Sequence, residues 1–177
     1  MSKMGKKPIL VGSAKITIDD QKISYEGKKN SGEYILPEWM DVSFDGTKLI
    51  VLPKRPVDDV NRLWGMHRAL LANAIIGSDA GFERQIKIVG LGFKAIKSAI
   101  GMQFSLGFSH KIDFPLPAEV LVEIDKTGQL LTCRSHDKAM LGLICSKIRA
   151  LRPAEPYKGT GIQYADEVIL RKAGKTK

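Results

Sequence analysis

Val42-Ser43-Phe44-Asp45-Gly46-Thr47-Lys48-Leu49-Ile50-Val51-Leu52 decides the fold of this chain. Asp-Gly between two short apolar runs is a strong hairpin signal. The same hairpin returns about eighty residues later. Val42-Ser43-Phe44-Asp45 comes back as Val122-Glu123-Ile124-Asp125, and the turn Asp45-Gly46-Thr47 is answered by Lys126-Thr127-Gly128. Working outward, Leu36-Pro37 matches Leu116-Pro117, and Arg68-Ala69-Leu70 matches Arg149-Ala150-Leu151. Any one match is weak. Their common order and nearly constant offset read as an internal duplication.

Each copy reads as strands followed by one helix. In the first, Lys15–Ile18 and Lys22–Tyr25 alternate around Asp19-Asp20, as a half-buried hairpin does. Asp58 or Asp59 is placed to cap a helix whose Val60, Leu63, Trp64, His67, Leu71, Ala74 and Ile75 share a face, with Gly77 as the stop. In the second, Phe82–Val89, Lys94–Ser98 and Met102–Leu106 read as strands, and Val120–Ile124 with Gln129–Cys133 as the returning hairpin. Ser135 is placed to cap a helix with Met140, Leu143, Ile144, Ile148 and Leu151 on one face, ended by Arg152-Pro153. Strand runs followed by one packed helix predict an α+β fold with mainly antiparallel sheets. The expectation is two tandem, similar domains, residues 1–81 and 82–177, with an irregular basic segment over 152–177.

Composition sets the bounds. The 177 residues are 44% hydrophobic, normal for a folded domain or two small ones. No window approaches the roughly 18 apolar residues of a membrane span, and the N-terminus lacks the apolar core of a secretory signal. Cys133 falls in a strand-like run and Cys145 in a helix-like one; two buried free thiols in a reducing compartment are expected.

The formal net charge of +9 is concentrated at the ends. Residues 147–177 hold 8 basic and 3 acidic side chains, and Lys3, Lys6 and Lys7 precede any acid. Residues 8–146 hold 17 basic and 16 acidic side chains, so the body is nearly neutral. Within the basic end lies Arg152-Pro153-Ala154-Glu155-Pro156-Tyr157-Lys158-Gly159-Thr160-Gly161-Ile162-Gln163-Tyr164. Its prolines and glycines argue against a helix or an ordinary strand. Tyrosines among lysine and arginine suit phosphate contact combined with base or sugar packing. A polyanion, and specifically nucleic acid, is the partner this pattern predicts.

The run Arg152–Tyr164, followed by Ala165-Asp166-Glu167 and a basic end, resembles the C-terminal signature of the sixth protein of the large ribosomal subunit, bacterial type. That family typically reads Arg-Pro-Pro-Glu-Pro-Tyr-Lys-Gly-Lys-Gly-Ile-Arg-Tyr. Met4-Gly5-Lys6-Lys7-Pro8-Ile9 is similar to the family's opening, and Leu106-Gly107-Phe108-Ser109-His110 to its mid-chain loop. Thr160 and Gln163 depart from it, each standing where the family usually has a basic residue.

The resemblance implies a structural part of the large subunit that binds its ribosomal RNA near the elongation-factor-binding region. It implies neighbouring ribosomal proteins, passing elongation factors, a single copy per particle, and no cofactor, metal or membrane. Its location would be the ribosome, in the cytoplasm or an organelle's matrix. The RNA-binding set expected is Arg152, Tyr157, Lys158, Gly159, Gly161, Tyr164, Arg171, Lys172, Lys175 and Lys177. Lysines and arginines would neutralise phosphates, the glycines would admit close backbone approach, and Pro153 and Pro156 would hold the segment extended. Lys94, His110 and Lys111 are further expected contacts.

Competing chemistry is thin. Gly90-Leu91-Gly92-Phe93 has the look of a carboxylate-binding loop of peptide-recognition modules, which makes a peptide- or protein-binding module the alternative. With no helix pattern after it, a turn between strands is the simpler reading. His67, His110 and His136 have no ligand spacing, and no phosphate loop or nucleophile motif is present. Enzyme is the disfavoured class, with no catalytic residue assigned.

Overall fold

The computed structural model describes residues 2–54 and 60–175. Asp58, Asp59 and Lys177, named above for a helix cap and an RNA contact, lie outside the described residues. The chain divides into two compact units. One runs up to Gly81 and takes in His136–Lys138; the other comprises Phe82–Ser135 and the chain from Ala139 onward.

In the first unit, β1 (Ile9–Leu10), β6 (Lys48–Pro53) and β5 (Met40–Phe44) form one sheet in the order β1-β6-β5. A second sheet is the meander β2 (Lys15–Asp19), β3 (Lys22–Glu26) and β4 (Ser31–Ile35). The helix α1 (Val60–Asp79) buries Trp64, Leu71, Ala72 and Ile75 in a core with Ile9, Ile23, Leu49 and Val51. Trp64 donates its indole N–H to the Val51 carbonyl at 2.8 Å, which satisfies its one polar group inside that core.

The second unit repeats the plan. The strands β7 (Phe82–Val89), β12 (Leu130–Ser135) and β11 (Val120–Ile124) stand as β1, β6 and β5 do, and β8 (Lys94–Ser98), β9 (Gly101–Ser105) and β10 (Ile112–Pro115) repeat the meander. The helix α2 (Lys138–Leu151) buries Leu141, Ile144, Cys145 and Ile148, the i, i+3, i+4, i+7 stripe of an amphipathic helix. These pack with Ile86, Ile88, Phe104, Leu131 and Cys133. Every strand pair in both units is antiparallel, giving the expected α+β class.

The repeated Leu-Pro has a physical role. Met40 N–H closes on the Pro37 carbonyl at 2.9 Å, and Val120 N–H on Pro117 at 3.1 Å, so each Pro starts the turn that launches a hairpin. Both cysteines are free and fully buried, as expected. The Cys133 thiol is pushed above its usual value by its hydrogen bond to Cys145 and by burial.

The structure corrects two local expectations. Gly77 does not stop α1; it is buried inside the helix. The stop falls at Gly81, at φ 74°, whose N–H returns to the Ile76 carbonyl at 3.2 Å. Ser135 is the buried last residue of β12, and α2 opens three residues later at Lys138. Finally, the Pro/Gly-rich segment does contain an ordinary strand, β13 (Gly161–Tyr164), which pairs with the outer edge of β7. The first unit's sheet has no counterpart to β13 among the described residues.

Candidate nucleic-acid interface

The C-terminal segment folds back on itself as soon as it leaves α2. Pro153 bridges to Ile162 in parallel, and Ile162 N–H donates to the Arg152 carbonyl at 2.7 Å. Between these points the chain is a closed loop. Glu155 N–H donates to Thr160 O at 3.0 Å, and Gly159 N–H to Glu155 O at 3.1 Å. Ends that meet and a self-bonded interior make this a compact Ω-type loop. At its tip Tyr157 is 58% exposed, beside the exposed Lys158.

After β13 the chain returns to the same loop. Ala165 N–H bonds the Gln85 carbonyl at 3.0 Å, and Lys172 N–H bonds the Pro156 carbonyl at 2.8 Å. The Arg171 guanidinium lies against Gly159. Tyr157, Lys158, Arg171 and Lys172 are thereby gathered on one stretch of surface, with Lys175 exposed further along. None of these cations is ion-paired with an acid among the described residues. Their charge faces solvent.

The remaining expected residues are positioned differently. Tyr164 packs against the second core, with Arg84 3.8 Å and Arg149 5.6 Å from its ring centroid. Arg149 in turn pairs with Glu167, Nε to Oε2 at 2.8 Å and Nη2 to Oε1, and Glu167 also accepts from Tyr164 N–H at 3.1 Å. The Arg149 bond holds the Glu167 carboxyl below the usual carboxylate range. This cluster ties the chain after β13 to α2 and β7. Arg152 points inward to the Leu106 carbonyl, with Phe93 and Phe108 rings about it.

The two glycines serve the chain itself. Gly159 is buried at φ 72° with its N–H already bonded to Glu155. At Gly161 a Cβ would sit 2.6 Å from Pro153 O and 2.8 Å from Ala154 Cα. The close approach they permit is to backbone and to Arg171. The Thr160 hydroxyl, where the family usually has a lysine, is bonded to Glu155.

Lys94 is exposed on β8. His110 and Lys111 are exposed just before β10, and His110 is stacked on Phe108. Sequence reasoning did not single out Phe108 as a contact; it is 45% exposed. Its position inside Gly107-Phe108-Ser109-His110, between two polar or flexible neighbours, was the available signal. Arg84 and Arg149 were also missed, because their partners come from distant strands. The Gly90–Phe93 loop is a turn, closed by Phe93 N–H on Gly90 O at 3.3 Å, between β7 and β8.

A family model for ribosomal protein L6 matches residues 89–165, from the end of β7 through β13. The chain is 39% identical to the large ribosomal subunit protein uL6 of Beijerinckia indica, over the full length of both. The chain belongs to the ribosomal protein L6 family. The uL6 protein of Methylocella silvestris is 40% identical, again over both full lengths. That of Anaeromyxobacter sp. strain K is 41% identical over 99% of the chain and 98% of the relative. The chain is therefore a ribosomal protein, a structural and non-enzymatic constituent of the large subunit. The family match encloses the mid-chain loop and the Ω-type loop but stops short of Arg171 and Lys172.

Proposed function

We propose that this L6-family protein binds large-subunit ribosomal RNA through its second unit, beside the elongation-factor-binding region, as a scaffold in translation. One observation carries the reading. The Ω-type loop and the returning tail assemble Tyr157, Lys158, Arg171 and Lys172 on one exposed surface, with no acid paired to them among the described residues. Unpaired cations on a folded surface release counterions when they meet phosphates, and an exposed tyrosine among them adds a stacking or hydrogen-bonding group. Lys175, exposed further along, extends the cationic track, and Lys177 adds a further positive charge in the sequence. Gly159, Gly161, Tyr164 and Arg152 contribute by shaping this surface from behind. Lys94, His110 and Lys111 add contacts from the same unit. The placement near the elongation-factor site rests on family resemblance, as do contacts with neighbouring ribosomal proteins and a single copy per particle.

Filter binding of the full chain to large-subunit ribosomal RNA across a salt series tests this. Lys158→Ala should lower the affinity and flatten the slope of log affinity against log salt by about 0.7–0.9. Tyr157→Ala should lower affinity with the slope unchanged. Indifference of affinity to salt, or to both substitutions, would count against the interface.

A further inference from the structure

A column of four side chains runs from the second core to the surface. Phe93, at its base, is only 9% exposed. The Arg152 guanidinium carbon lies 4.8 Å from the Phe93 ring centroid and 5.0 Å from that of Phe108. Phe108 then stacks with His110, centroids 6.1 Å apart and planes at 23°. We propose that this Phe93–Arg152–Phe108–His110 column is a stacking platform whose exposed outer end takes an unpaired RNA base, with Lys111 on the adjoining phosphate. The proposal rests on the ribosomal-RNA reading above and adds a second, base-contacting site to the phosphate-contacting surface of the C-terminal loop.

The column is built in advance of any ligand. Arg152 is held from behind by its bond to the Leu106 carbonyl. Gly107, at φ 75°, presses the loop onto the column: a Cβ there would lie 2.8 Å from Phe93 Cε1 and 3.2 Å from Arg152 Nη1. Any larger residue would lift Phe108 and His110 away. A singly exposed phenylalanine needs no explanation. Here, however, the exposed ring is paired at a low angle with a second exposed ring and backed by a fixed cation. A stack of two nearly parallel rings presents the flat face of its outer ring to solvent, and every nucleobase presents a matching π-face. Bases inside a duplex already have both faces stacked, so the ligand is a loop, bulge or helix-end nucleotide. The exposed Lys111 next in the chain suits its phosphate.

The test uses the full chain bound to large-subunit ribosomal RNA. Short-wave ultraviolet irradiation followed by mass spectrometry should find a nucleotide adduct on Phe108 or His110. His110→Ala and Phe108→Leu should each weaken binding about tenfold, in keeping with one stacked base, and leave the salt slope unchanged for want of a lost charge. Thermal unfolding of each variant without RNA checks the fold; His110 is exposed, so its variant decides the matter if Phe108→Leu melts early. Wild-type-like affinity in His110→Ala, with no adduct in the loop while the wild type still binds RNA, overturns the proposal alone and leaves the column to the fold or to a protein contact. Absence of RNA binding by the wild type overturns it together with the ribosomal-RNA reading.

Discussion

Gly161→Ala separates two explanations of the glycine-rich segment. If the glycine is there for RNA to approach, alanine should cost affinity and nothing else. The structure predicts a cost in the free protein. The backbone at Gly161 has φ 137°, a region that costs an L-residue about 1–3 kcal/mol. The new Cβ would fall 2.6 Å from Pro153 O and 2.8 Å from Ala154 Cα, both backbone atoms that cannot swing aside. Overpacking of that kind adds about 1–3 kcal/mol. The chain has an escape: β13 can detach from β7. Release forfeits the burial of Ile162, which is fully buried, at about 1.5–3 kcal/mol, and ladder hydrogen bonds at about 0.5–1.5 kcal/mol each. The smaller of the two routes sets the loss, about 2–4 kcal/mol. With a urea m-value of about 2 kcal/mol per molar, the midpoint should fall by about 1–2 M. Amide exchange at Ile162 should quicken at the same time. An unchanged urea midpoint together with weakened RNA binding would refute this reasoning and restore RNA approach as the reason for the glycine.

Three further outcomes are expected. Truncation after Leu170 removes Arg171, Lys172, Lys175 and Lys177; the salt slope of ribosomal-RNA binding should flatten by about 3–4 if all four meet phosphates, as titrations across salt would show. Glu167 has its carboxyl held below the ordinary 4.5 by Arg149, so its stabilising share is complete above that value and is lost as pH falls through the lowered one; Glu167→Gln should remove that acid-limb contribution from a melting-temperature-against-pH profile. Cys133 and Cys145, both fully buried, should stay unreactive to a thiol reagent in the native protein and titrate as two thiols once it is unfolded.

The duplication was legible because its signals are local. A Leu-Pro turn, an Asp-Gly or Thr-Gly turn and a helical stripe each act within a few residues, so their order survives in the chain as written. The same locality made both hairpins and both helices readable, and it exposed the basic, tyrosine-bearing C-terminal run. The failures share a different cause. β4 (Ser31–Ile35) and β10 (Ile112–Pro115) are short and weakly patterned, and become strands by pairing with β3 and β9. Gly77 looked like a stop because glycine is a poor helix former, but burial in the first core holds it within α1.

The sequence by itself determined the α+β class, the repeated plan, the absence of a recognisable catalytic motif and the segment where cations collect. Tertiary structure decided what each residue of that segment does. Gly161 pairs with Val89, and Ile162 with Ile88, contacts far apart in the chain that no periodicity announces. Through them Tyr164 is turned against the core under Arg84, Arg152 is drawn between two phenylalanines, and Tyr157, Lys158, Arg171 and Lys172 are left facing solvent. Charge and residue type are written in the chain; which side chains are spent on their own protein depends on pairing across distance, and only folding sets that.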